Sequence, residues 1–138
     1  MKVGTNSEYI ELESLEKNQK GCPCEGDIRV RVVLNLQAFS GAHNGIWFEF
    51  TEMNRFISDL KSLDETRVGS AKISSISPDE FMLEIRPSDS LGHIEMEVQL
   101  HRYQYSGVKN WPVYLKGGFF IESEDVKKLI SCFTEFTS

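Results

Sequence analysis

A chain of 138 residues has the length of one ordinary domain and can bury a core without metals or disulfides. Its composition, 40% hydrophobic and 26% charged, excludes a disordered chain, and no apolar run approaches the roughly 20 residues that span a bilayer. A formal net charge of −6 argues against nonspecific DNA or RNA binding, which needs clustered Lys and Arg, and permits a basic protein partner.

The N-terminal stretch 1–18 has no apolar core of the kind a secretory signal needs, so the cytoplasm is the expected location. Tyr9, Ile10 and Leu12 predict a short first strand, and the Gly-, Pro- and charge-rich stretch 17–26 a loop. Ile28, Val30, Val32, Leu34, Leu36 and Ala38 alternate with Arg29, Arg31, Asn35 and Gln37. Successive strand side chains point to opposite faces, so 28–39 reads as a long strand with one buried and one wet face. Residues 40–45 read as a turn, and Ile46, Phe48 and Phe50 as a third strand. Thr51 is a plausible N-cap for a helix whose apolar stripe is Phe56, Ile57, Leu60 and Leu63, ending near Glu65.

Ala71, Ile73 and Ile76 resume an extended pattern, with a phase break that marks a bulge or a strand end. Ser77 to Glu80 is a turn, and Phe81, Leu83 and Ile85 form a strand stopped at Pro87. Ile94, Met96, Val98 and Leu100 then alternate with Glu95, Glu97, Gln99 and His101. After a turn over 106–110, Trp111, Val113 and Leu115 alternate again; Gly117-Gly118 punctuates, and Phe119 and Ile121 continue. Ser123 is the expected N-cap of a terminal helix with the stripe Val126, Leu129, Ile130 and Phe133.

The expected fold is therefore α+β, in the order β-β-β-α-β-β-β-β-α. A single mainly antiparallel sheet of about six to seven strands carries two helices on the face of Val30, Val32, Leu34, Val98 and Leu100. No internal repeat or linker is visible, and residues 1–138 read as one domain.

Chemistry is sparse. Cys22-Pro23-Cys24 is a C-x-C, Cys132 sits in a helical pattern, and an odd count without a signal argues for reduced thiols; neither a metal site nor a cofactor is expected. His43, His93 and His101 are scattered, with no nucleophile elbow or phosphate loop nearby. An enzyme with an unrecognised site near His93 and His101 is one alternative, and a homo-oligomeric regulatory or structural module another. The constellation that resembles recognition is Glu95, Glu97, His101, Tyr103 and Tyr105, all on odd positions of one extended stretch. If the strand keeps its phase, acids and aromatics share a wet face suited to a basic partner. The competing readings are that the tyrosines pack onto a neighbouring element, or that Arg29 or Arg31 pairs across strands with Glu95 or Glu97.

The order of motifs resembles small bacterial toxin-immunity families, Wap-type immunity proteins among them. The pieces that carry the likeness are the strand ending in Phe39-Ser40-Gly41, the Trp47 strand leading into Phe56-x-x-x-Leu60, and Leu63 followed by Gly69-Ser70-Ala71. Gly92-His93-Ile94 opens a strand, and Gly118-Phe119 precedes the last strand and helix. The likeness runs from Ile28 onward and rests on turn glycines and core aromatics. It implies non-catalytic binding and occlusion of a cognate toxin in the cytoplasm, with no catalytic residues to carry over.

Overall fold

The computed structural model describes residues 1–138. Its elements are β1 (Lys2–Gly4), β2 (Glu8–Lys17), β3 (Ile28–Leu36), β4 (Phe39–Phe48), α1 (Phe50–Thr66), β5 (Ala71–Ser74), β6 (Phe81–Pro87), β7 (Ile94–Ser106), β8 (Lys109–Ile121) and α2 (Ser123–Thr137). The α+β class holds, but the eight strands form two sheets rather than one. β1-β2-β3-β4 and β5-β6-β7-β8 are separate four-stranded sheets, antiparallel throughout. The chain thus runs twice through one unit, a four-stranded meander followed by a helix. This repeat lies in the element order and has no counterpart in side-chain motifs.

One correction follows from hairpin geometry. The turn expected over 40–45 is strand; the chain reverses at Gln37–Ala38, with Gln37 at φ 62°. What looked like a turn is an irregularity in β4, where Val30 pairs with Ile46 but Val32 pairs with His43, leaving extra residues opposite Arg31. The second reversal is Gly107–Val108, after which β8 runs unbroken to Ile121. Gly117 and Gly118 therefore do not divide two strands. They lie where other chains come close: a Cβ on Gly117 would meet Leu36 Cδ1 at 2.7 Å, and one on Gly118 would meet the Met96 carbonyl oxygen at 2.5 Å.

Thirty buried apolar residues, drawn from all ten elements, form one core. Val30, Val32, Leu34, Val98 and Leu100 are all within it. The helices do not simply tile one sheet face. They pack on each other through Phe56 and Phe133, with ring centroids 5.0 Å apart, and Phe133 also meets Phe48 of β4 at 5.6 Å. Phe48 in turn meets Phe81 of β6 at 5.5 Å, so one aromatic cluster joins both sheets and both helices.

The helix starts also differ in detail. α1 begins at Phe50, whose N–H donates to Asp27 Oδ1 (3.0 Å), so the cap comes from the 18–27 loop rather than from Thr51. At α2 the cap is Glu122, whose N–H donates to Asp125 Oδ2 (3.0 Å). Ser123, freed from capping, donates to Asp64 Oδ1 and accepts from Arg67 Nη2, tying the start of α2 to the end of α1. No helix is long and apolar enough to cross a membrane.

Candidate interaction face

The register between β7 and β8 is continuous from Ile94↔Ile121 to Ser106↔Lys109. Glu95, Glu97, His101, Tyr103 and Tyr105 therefore do share one face, joined there from β8 by Phe120, Lys116, Tyr114 and Pro112. Along this row the surroundings change in three steps.

At the first step the carboxylates are already paired. Glu84 and Glu97 stand directly opposite each other on β6 and β7, an unfavourable placement of like charges, and Arg86 stands opposite Glu95. The Arg86 guanidinium bonds all three: Nε to Glu95 (3.0 Å), Nη2 to Glu97 (3.1 Å) and Nη1 to Glu84. Lys116 Nζ adds a contact to Glu97 at 3.6 Å. The Arg86 hydrogen bond holds the Glu97 carboxyl below its usual range. A cross-strand arginine thus engages the two glutamates, but it is Arg86 and not Arg29 or Arg31. Arg29 lies in the other sheet, with Glu16 at 3.6 Å and the Asn44 carbonyl at 2.8 Å.

At the second step His101 is buried, not wet. Its ring stacks on Tyr114, directly across the ladder, at 4.1 Å and 8°, and meets the edge of Tyr103 at 5.0 Å. Neither ring nitrogen has a hydrogen-bond partner within the chain. Nearby, His43 Nε2 lies 3.9 Å from Glu80 Oε2. Burial holds the His43 pKa below its ordinary value, against the pull of Glu80.

At the third step the hairpin leaves the sheet. β6 pairs with β7 only from Phe81↔Leu100 to Pro87↔Ile94, so residues 102–114 form a two-stranded arm beyond their neighbour. Every residue from Arg102 to Tyr114 is exposed. Tyr103, Tyr105, Trp111 and Tyr114 all lie more than half open to solvent, at 55%, 78%, 51% and 59%. The reversal at Gly107, φ 63°, is of the two-residue kind that favours glycine at its first position.

The structure does not bring His93 and His101 together. His93 sits on the loop before β7, where its Nδ1 lies 2.6 Å from Asp89 Oδ2 and holds that carboxyl below its usual range. Eight residues of strand separate it from His101, about 26 Å. A groove of about 960 Å³ lies elsewhere between β2 and α2, and its rim mixes Glu13, Glu16 and Glu124 with Lys17, Lys127 and Lys128. Cys22 and Cys24 are unbonded, with sulfurs 3.9 Å apart, and Cys132 is buried.

Arg86, Tyr114 and Trp111 were the residues missed. Tyr114 could have been found from sequence by centring the hairpin on Gly107–Val108, which sets it against His101.

Comparison with known proteins gives a single finding. The profile of the Immunity protein WapI-like family matches residues 2–136. No match was found among curated proteins or among solved structures.

Proposed function

The chain belongs to the Immunity protein WapI-like family, and on that premise we propose that it acts in the cytoplasm as one domain, binding a cognate polymorphic toxin and neutralising it by occlusion. As a member of an immunity-protein family it is not an enzyme. The observation that carries the reading is the family match over nearly the whole chain. The face of Glu95, Glu97, His101, Tyr103 and Tyr105 contributes to binding, in unequal roles. Tyr103 and Tyr105 are rigid, exposed and amphipathic, the kind of side chain that anchors interfaces. His101 supports Tyr103 and Tyr114 from beneath. Glu95 and Glu97, with Glu84 and Arg86, give a half-buried polar rim. The net charge of −6 favours encounter with a toxin that is basic overall.

The test is coexpression with the toxin domain encoded beside this chain's gene, followed by binding measurements with a catalytically inactivated form. Protection by the wild type, with Tyr103→Ala and Tyr105→Ala each speeding dissociation by about tenfold or more, is expected. A neighbouring toxin that neither binds nor is neutralised sinks the immunity reading. Intact protection and unchanged dissociation in both tyrosine variants remove this face from the interface.

A further inference from the structure

The arm has a second face and a charge of its own. Between Arg102 and Lys116 the sequence holds Arg102, Lys109 and Lys116, and none of the chain's 21 acidic residues. An acidic protein thus projects a basic tip. On the face opposite Tyr103 and Tyr105 the register places Trp111 against Gln104, Val113 against Arg102 and Leu115 against Leu100. This is the core-facing row of the sheet carried past the end of the core. Beneath it lies the β3–β4 reversal, with Phe39 71% exposed, and between them opens a groove of about 570 Å³ lined by Phe39, Val113, Leu115 and Arg102. Arg102 Nη1 reaches towards the Ala42 carbonyl at 3.4 Å, and Lys109 Nζ stands 5.2 Å above the Trp111 ring.

We propose that this arm and groove, Phe39 with Arg102 to Leu115, are the seat for an apolar side chain flanked by carboxylates on the toxin's surface. The inference rests on the immunity reading and reverses its local sign: the toxin can be basic overall, but the patch that meets the arm is acidic. Three observations carry it. The exposed charge of the arm is wholly cationic, and complementary potential at a contact is local. Trp111 is exposed with the Lys109 ammonium beside its ring and shares the face of Arg102, and Trp and Arg are among the side chains enriched in binding hot spots. A free two-stranded hairpin is marginal in water, so an apolar arm of this kind gains most when a partner covers it. Side-chain docking rather than strand addition at β8 is the mode proposed. β8 is the edge of its sheet, and Pro112, in the middle of the arm, works against a further strand joining it.

The probe is the inactivated toxin domain encoded beside this chain's gene, titrated calorimetrically against wild type, Trp111→Ala, the double variant Arg102→Glu/Lys109→Glu, and Lys61→Glu on α1. Circular dichroism and sedimentation of each protein accompany the titrations. Expected is a loss of about tenfold or more in affinity for Trp111→Ala and for the double variant, with a flatter salt dependence in the latter and no change for Lys61→Glu. Wild-type binding with both arm variants unaffected overturns this inference and leaves the immunity reading standing; tighter binding by the double variant overturns it too, since the toxin patch that meets the arm would then be basic. A wild type that does not bind at all ends both. A dimer in wild type that is lost in Trp111→Ala would assign the arm to a second copy, and binding of a short single-stranded RNA lost in the same variants would assign it to nucleic acid; either result overturns the proposal.

Discussion

Replacing Arg86 with methionine isolates what holds the Glu84, Glu95 and Glu97 cluster together. Methionine keeps much of the side-chain volume and removes the charge and all three hydrogen bonds. In the wild type the guanidinium is about one-third exposed, as are its partners, so each contact is worth far less than a buried pair. Taking roughly 0.2–1 kcal/mol per contact gives about 0.6–3 kcal/mol for the set. Repulsion between the directly opposed Glu84 and Glu97, no longer screened by a cation between them, pushes the value towards the upper end. For a chain of this size that is a fall in melting temperature of roughly 3–10 °C. The pH dependence separates charge from packing. Arg86 lowers the Glu97 pKa below its ordinary value of 4.5, so the stabilisation is fully present above that value and is lost as pH falls through the depressed one. Urea melts of both proteins at pH 7 and pH 3.5 should therefore show a wide gap that narrows on acidification. An equal gap at both values would mean that Arg86 acts through packing, and no gap at pH 7 would mean that the network contributes nothing.

Two further outcomes are expected. Leu34→Ala and Val98→Ala should each cost about 2–4 kcal/mol in denaturant melts, because both side chains are fully buried, one in each sheet; a loss below about 1 kcal/mol at either would take that strand out of the core. Native protein at pH 8 should react with a thiol reagent at the exposed Cys24 and the half-buried Cys22 and spare Cys132, whose thiol burial pushes up to about 11. Because the unfolded Cys132 ionises near the ordinary thiol value of 9.0 and the folded one only near about 11, its contribution to stability falls as pH rises between the two; three thiols reacting at one rate would refute the burial.

The alternation of apolar residues made strands β3, β6 and β7 legible, only the first half of β2 was marked, and the 3.6-residue stripes made both helices legible, because burial on one face is written directly in those periods. The partition into two sheets was not. Alternation says that a strand has one dry face; it does not say which neighbour covers that face, and β4 and β5 carry nothing to show that α1 separates two ladders rather than two strands of one. β1 was lost because three residues are too few to show a period. The turn glycines misled for a related reason: Gly41 and Gly45 were read as chain reversal, whereas the true reversal uses Gln37 at positive φ, a conformation that sequence assigns first to glycine or asparagine.

The interaction face shows the same limit from the other side. The odd-numbered row on β7 was predicted correctly as a shared face, since register follows from the hairpin. Its environment was not, because exposure depends on what lies beside a strand as well as on its pattern. Glu97 is half covered since Arg86 reaches it from β6, and His101 is covered since Tyr114 lies flat upon it. Four residues further on, Tyr105 is open only because β6 has no residues left to pair there. Trp111 and Val113, which by their alternation read as core, are exposed on the same arm. An apolar period that outruns its own sheet marks a surface built to be covered by something else, and on this chain that happens where the acidic residues stop.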